Sequence, residues 1–384
     1  MDDASGPPLN LIERPPAETA VRLRALGLDA LVARRVMAER VREGRPTLGR
    51  VRGLAASRRA AVEAAVAVPR LEVIDRRVDP ADGFAKYLLR LPDGPAVEAV
   101  RIPLLKPTPD GRPRFSVCLS SEAGCGMGCG FCRTGRLGLA RRLEPWEIVA
   151  QALAIRDEAP GRVAGAVFMG QGEPFDNPDA VRIATDVLSH PDGLGLSRRA
   201  ITVSTVGVVP EIRRFARERR RERLAISLVT ADEARRRALV PLARRDGHDL
   251  ASLRSALDEV VQATGRRVLV VLVLIGGVTT TEADARADVE FLQGLPCWID
   301  LIDVNDPDGR YHPPDPDERE RFVRALRETG HPIQVRYTGG KAIGAACGLL
   351  ATTAEGGAPA PAGLTILPHP RPGAGPVSAG PLAR

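Results

Sequence analysis

Aromatic side chains make up only 3% of the 384 residues, so a core must be built from Val, Leu, Ile and Ala rather than from rings. The same scarcity argues against a surface that grips single-stranded nucleic acid by base stacking. Lysine is rarer still: Lys86, Lys106 and Lys341 are the whole complement. Nearly all positive charge is therefore arginine, and the net charge is +7. Guanidinium forks match phosphate oxygens, so a phosphate-bearing partner suits this balance. A codon bias toward arginine gives the same excess, so charge alone does not establish nucleic-acid binding. No apolar run reaches the roughly 18 residues of a membrane-spanning helix, and no membrane partner is expected. Met1 to Pro16 has no basic segment followed by an apolar core and does not read as a secretory signal, so a cytoplasmic protein is expected. No internal repeat at solenoid periods is visible. Six cysteines in such a chain point to metal or catalytic use rather than to a disulfide scaffold.

Composition divides the chain. Residues 1–16 are polar and proline-rich, and residues 351–384 are rich in Ala, Pro and Gly without amphipathic period; both read as disordered. Residues 17–110 read as a small helical and β domain. Leu23, Leu26, Leu28, Leu31 and Val32 give one helical face and Ala55 to Val66 a second helix. Alternating runs at 71–74, 85–91 and 97–102 are separated by Asp-Gly turns at Asp82-Gly83 and Asp93-Gly94. From Phe115 the rhythm becomes strand then helix. Strands are predicted at 115–119, 164–169, 200–204, 224–228, 268–274, 299–304 and 333–337. Helices are predicted at 144–157, 178–188, 209–219, 250–264, 282–293 and 315–329. This alternation predicts an α/β fold, a full or partial (β/α) barrel over 111–350 with right-handed crossovers. The chemistry of such a fold sits at the carboxyl ends of its strands.

One motif falls just past the first of those ends: Cys125-Gly-Met-Gly-Cys129-Gly-Phe-Cys132. Three thiolates packed this closely can each take one iron of a [4Fe–4S] cubane, which leaves the fourth iron without a protein ligand. That iron can chelate the amino and carboxylate groups of S-adenosylmethionine (SAM), whose sulfonium is cleaved to a 5′-deoxyadenosyl radical by one electron. The competing reading is a structural zinc, which needs four ligands, and Cys118 is the local candidate for the fourth. Cys297, beside Trp298, has no motif around it and reads as a core residue.

With these residues the chain resembles the RlmN/Cfr family of radical SAM RNA methyltransferases, from about Leu23 to Leu350. The resemblance is carried by Cys118-Leu-Ser-Ser-Glu-Ala-Gly-Cys125, Phe168-Met-Gly-Gln-Gly-Glu-Pro174, Ser204-Thr-Val-Gly-Val-Val-Pro210, Ala225-Ile-Ser-Leu228 and Ala345-Ala-Cys-Gly-Leu349. It implies that Cys125, Cys129 and Cys132 hold the cluster and that two SAM molecules are used per turnover. Cys347 would take a methyl from the first SAM, and a radical from the second would abstract hydrogen from that S-methyl group. The methylene radical would add to C2 or C8 of an adenine, carbons too electron-poor to attack a sulfonium directly. Glu98 would remove the ring proton as general base. Cys118 would attack the sulfur of Cys347 and release product, leaving a transient disulfide. Gly172, Glu173, Ser204, Ser227, Leu228, Val229 and Asn305 would contact SAM. The implied partners are rRNA, with tRNA a further candidate, and a one-electron reductant, and the protein is expected to be a monomer. RNA would meet the N-terminal domain and the basic stretches 213–223 and 235–245.

The sequence departs from the family pattern at several places. Val229 stands where His is usual and Gln171 where Met is usual. No aromatic precedes Asn305, and Tyr337-Thr-Gly-Gly340 replaces a more basic stretch. The cluster motif and both mechanistic cysteines are intact, so the departures bear on substrate. They leave open a small-molecule substrate. A non-catalytic iron–sulfur RNA-binding module is a third reading, which would have no need of Cys347.

Overall fold

The run Val268–Leu274 is buried at all seven positions. Such a strand needs cover on both faces, as in a parallel sheet with helices outside and a barrel interior inside. The computed structural model, which describes residues 7–306 and 308–350, has this strand third from one end of a ten-stranded sheet. In chain order the strands are β1 (Glu72–Val78), β2 (Ala85–Arg90), β3 (Ala96–Leu104), β4 (Arg114–Cys118), β5 (Arg162–Phe168), β6 (Ile201–Thr205), β7 (Arg223–Val229), β8 (Val268–Leu274), β9 (Cys297–Asp303) and β10 (Ile333–Val335). Spatial order follows chain order throughout. β1 to β4 are antiparallel neighbours, and β4 to β10 are parallel. The sheet does not close on itself: its end strands are β1 and β10. It is the partial barrel that the alternation predicts, extended by an antiparallel hairpin pair.

Helices fill the crossovers. Before the sheet come α1 (Pro16–Ala25), α2 (Ala30–Met37) and α3 (Ala56–Ala65); α4 (Arg133–Leu137) and α5 (Pro145–Glu158) follow β4, and α6 (Pro178–Ser189) and α7 (Val209–Arg217) flank β6. Next are α8 (Glu233–Leu239), α9 (Leu250–Thr264), α10 (Glu282–Leu292) and α11 (Pro316–Leu326). Their ends have local causes. Glu144 and Glu147 form a capping box at α5, with Pro145 in the first turn. Asp249 caps α9 through the Ser252 amide, and Gly265 ends it in a left-handed conformation, the backbone that glycine adopts without strain.

Two sequence expectations need correction. Residues 7–16 do not lie outside the fold: Leu9–Asn10 pairs in parallel with Val66–Ala67, and Leu11 and Ile12 are fully buried. Proline-rich composition hid a contact with a segment more than fifty residues away. The helix α8 also went unpredicted, because it buries only Arg236 and Leu239 and so has no apolar face to read. The tail 351–384 and residues 1–6 lie outside the described residues.

After β10 the chain does not stop at the sheet edge. Residues 336–350 cross the mouth of the open barrel and dock on the turn between β1 and β2. Tyr337 Oη donates to Asp82 Oδ2 at 3.1 Å, the Gly340 amide donates to the same oxygen at 2.8 Å, and Tyr337 meets Phe84 edge to face. This strap carries Cys347.

Candidate active site

The carboxyl ends of the parallel strands open into a cleft with about 1080 Å³ of empty space, part of it open to solvent. The cysteine loop forms one wall. Gly124 starts it at φ +79°, where a Cβ would lie 2.0 Å from the Gly138 carbonyl oxygen, so only glycine allows the loop to fold this tightly. Cys125 and Cys129 are buried, Cys132 is half-buried, and all three line the cleft. Burial pushes the Cys125 and Cys129 thiols up, and the neighbouring cysteines of the trio push them further. Thiols in so apolar a loop become thiolates only against bound cations. Among the described residues no trio of His, Cys, Asp or Glu converges tightly enough to grip a single metal ion. Three thiols that line one cleft suit a cubane, in which each sulfur takes a different iron. The zinc reading loses its fourth ligand: Cys118 packs with Val100, Ala345 and Leu350, and the thiol that acts on it is Cys347.

The opposite wall holds the residues expected to contact SAM. Gly172 lies at φ +97°, its Cα face packed against Glu122 so closely that a Cβ would sit 2.6 Å from the Glu122 Cβ. Glu173 is buried, with Oε1 accepting from the Phe175 amide and Oε2 from the Val206 amide, each at 2.9 Å. Burial pushes its carboxyl up to about 7 against those hydrogen bonds. Ser204 and Ser227, on adjacent strands, bring their hydroxyls to 3.4 Å. Both line the cleft, as does Asn305. Asn305 Nδ2 donates to the carbonyl of Cys347 at 3.1 Å, so in this structure it holds the strap. Leu228 and Val229 are absent from the cleft lining. The Leu228 side chain packs in the main core. Val229 sits at a bulge in β7, at φ +68°, a strained conformation for a β-branched residue. Its side chain packs with Cys125, Met127 and Cys129.

Cys118, at the end of β4, and Cys347, on the strap, are both free thiols. Burial and the nearby Cys347 push Cys118 up to about 12. Burial raises Cys347 as well, and Arg336 opposes this. Arg336 had no signal in the sequence. Its Nη2 donates to Asp300 Oδ2 at 2.5 Å and its Nη1 reaches Met169 Sδ at 3.2 Å, which anchors a positive charge beside both thiols. Glu98 shares their side of the sheet: Val100 pairs with Cys118 across β3 and β4, and Glu98 is two residues from Val100, hence on the same face. It is 3% exposed. Its Oε1 is 2.9 Å from Lys86 Nζ, and its Oε2 has no hydrogen-bond partner. Lys86, also unforeseen, reaches the Gly344 carbonyl at 3.4 Å and so links Glu98 to the strap. Cys297, expected in the core, is fully buried there.

The basic stretches offer less free charge than their sequence suggests. Arg213 pairs with Glu259, Arg214 with Asp179, Glu211 and Glu218, and Arg220 with Asp186 and Glu222. Arg235 pairs with Asp284 and Arg237 with Glu233, while Arg236 is buried. Charge left over gathers at the amino ends of the strands, where Arg223 and Arg267 stack on the half-exposed Trp298 at 5.5 and 5.9 Å beside Arg199 and Arg266. Among the described residues no helix is long and apolar enough to cross a membrane.

A parallel partial barrel with three closely spaced cysteines at its carboxyl mouth fits a radical SAM enzyme, whose cofactors are a [4Fe–4S] cluster and SAM. The Radical SAM superfamily profile matches residues 120–292. A solved radical SAM methyltransferase from Sphaerobacter thermophilus superposes with a TM-score of 0.79 at 35% identity, over 89% of this chain and 99% of that one. A "Probable RNA methyltransferase" from Anaeromyxobacter sp. is 44% identical over 86% of this chain and 99% of its own length. A "Probable dual-specificity RNA methyltransferase RlmN" from Desulforudis audaxviator is 41% identical over 82% of this chain and 96% of its own. The chain belongs to the RlmN/Cfr-type family of radical SAM RNA methyltransferases.

Proposed function

We propose that the protein methylates a ring carbon, C2 or C8, of an adenine in RNA, with 23S rRNA as the first substrate to test and a methyl carried on Cys347. The observation that carries this reading is the strap, which sets Cys347 in the cleft wall within electrostatic reach of Cys118. When bound, the cluster and SAM supply a methyl group and, from a second SAM and one electron of an external reductant, a carbon-centred radical.

The chain's own residues do the rest. Cys125, Cys129 and Cys132 hold the cluster. Gly172, Glu173, Ser204 and Ser227 shape the SAM side of the cleft. Cys347 Sγ accepts the methyl, gives up a hydrogen atom from it and adds as a methylene to the adenine carbon. Arg336 favours the thiolate form that accepts the methyl. Glu98, buried with one oxygen unpartnered, takes the ring proton. Once the adduct has given up its unpaired electron to a one-electron acceptor, Cys118 attacks Cys347 Sγ, forming the S–S bond and breaking the bond from sulfur to the product's methylene carbon, which takes up a proton to become the methyl group. Free arginines contact phosphates.

Nucleoside mass spectrometry of rRNA and tRNA from cells with and without the gene tests this reading. A methyladenine that vanishes with the gene and with Cys347→Ala supports it. RNA unchanged by the deletion would move the substrate to a small molecule. A phenotype that survives Cys347→Ala would favour a binding module without turnover.

A further inference from the structure

Arg236 is a buried cation that no carboxylate answers among the described residues. It is 1% exposed, and among the described residues it makes no ion pair. Its Nη2 donates to the Val206 carbonyl at 2.5 Å, its Nη1 donates to the carbonyls of Leu228 and Ser227, and its Nε has no partner. The nearest acidic group on its own helix, Glu233, is taken by Arg237 Nε at 2.8 Å and the Leu250 amide at 3.0 Å. Burial pushes the Arg236 guanidinium down to about 10, and the group that most opposes this is Cys129. Carbonyl dipoles orient a guanidinium but do not neutralise it, and a buried charge without a counter-charge costs several kcal/mol.

The missing counter-charge lies on the cleft side. The carbonyls that clamp Arg236 belong to Val206 and to Ser227 and Leu228, and the side chains of Val206 and Ser227 line the cleft. Leu239, on the same helix, accepts a hydrogen bond from the Gly130 amide at 3.0 Å, which joins α8 to the cysteine loop. A cubane in its resting 2+ state with three thiolates carries a formal net charge of −1, and one further electron makes it −2. A fixed cation nearby stabilises the more negative state more, so it eases reduction.

We propose that Arg236 is a positioning residue that sets the reduction potential of the cluster, with its buried charge balancing the thiolates of the cysteine loop. The inference rests on the assignment of Cys125, Cys129 and Cys132 as cluster ligands. The test uses full-length protein reconstituted anaerobically, with iron counted first and the cluster then titrated against ambient potential by electron paramagnetic resonance. In Arg236→Gln the cluster is retained and the ratio of reduced to oxidised cluster at a fixed ambient potential falls about tenfold, a shift of about 59 mV to more negative values. Arg236→Lys, which keeps the charge and loses the fork, keeps the wild-type midpoint. A full iron complement with an unchanged midpoint in Arg236→Gln would overturn the inference and leave Arg236 a carbonyl clamp. If Arg236→Gln takes up no iron, Arg236→Lys decides: a wild-type midpoint supports the charge, and a midpoint displaced as far as the tenfold change overturns it. Wild-type protein that takes up no iron refutes the ligand assignment instead.

Discussion

The Lys86–Glu98 pair gives the sharpest test of the site's geometry. Its N–O separation is 2.9 Å, and the two side chains are 16% and 4% exposed. Replacing Lys86 with Met strands a carboxylate that is 3% exposed and already has one oxygen unpartnered, so a loss of about 3–5 kcal/mol of folding stability is expected. Replacing Glu98 with Gln is milder, about 1–2 kcal/mol, because Lys86 can turn its ammonium toward water and still reach the Gly344 carbonyl. The double variant removes both charges and is no less stable than Lys86→Met alone, with a coupling of about 2 kcal/mol in a double-mutant cycle. Arg324 and Glu320 supply the control: they lie 2.9 Å apart but are 69% and 72% exposed, so breaking that pair changes stability by less than about 1 kcal/mol. Urea denaturation of the four Lys86/Glu98 proteins and the control measures all of this. A Lys86→Met loss no larger than the control's, or an additive double variant, would refute the buried-pair argument. The same proteins test chemistry. Glu98→Gln that stays folded and still carries a methyl on Cys347 yet forms no methylated RNA fits the base role; wild-type turnover rejects it.

Four further outcomes follow from the site. Burial holds the Cys347 thiol above its ordinary value, so its thiolate is a minor species near neutrality and grows about tenfold per pH unit; self-methylation with SAM, followed by intact-protein mass spectrometry, rises with that slope from pH 7 to 8.5, and a flat profile contradicts the thiolate step. Asn305→Ala removes the bond to the Cys347 carbonyl, about 1 kcal/mol, and should speed hydrogen exchange of the Arg133 amide, which is bonded to the Gly348 carbonyl, roughly fivefold; unchanged exchange would mean that Asn305 does not hold the strap. Cys129→Ser should lose most of the roughly four irons of the reconstituted protein, and full iron content would reject Cys129 as a ligand. Arg223→Ala with Arg267→Ala should lower the salt dependence of RNA binding, measured by filter retention, by about two in slope; an unchanged slope places the phosphate contacts elsewhere.

What the sequence disclosed follows how local each signal is. The parallel strands were legible because each is a short apolar run bounded by turn residues: the predicted 268–274 matches β8 at both ends. The cluster loop was legible because its ligands lie within eight residues of one another. Lys86 and Arg336 were not, since each acquires its role only when residues far apart in the chain meet at the strap. Asn305 was found by motif, but its bond to the Cys347 carbonyl depends on where the last fifteen described residues run. Leu228 is the instructive case, because the side of the sheet its side chain takes was legible in the sequence. Along β7, Leu224, Ile226 and Leu228 alternate with Ala225, Ser227 and Val229, and successive side chains in a strand face opposite sides. The first three pack into the main core, while Ser227 faces the cleft. Alternation therefore assigns Leu228 to the core without any structure. Val229 could not have been assigned this way: the bulge after Ser227 and the left-handed backbone break the period and turn its side chain onto the cysteine loop. A strained residue persists only where its surroundings over-determine it. Here the surroundings are the carbonyl of Leu228, clamped by Arg236, and the buried cysteines against which Val229 packs.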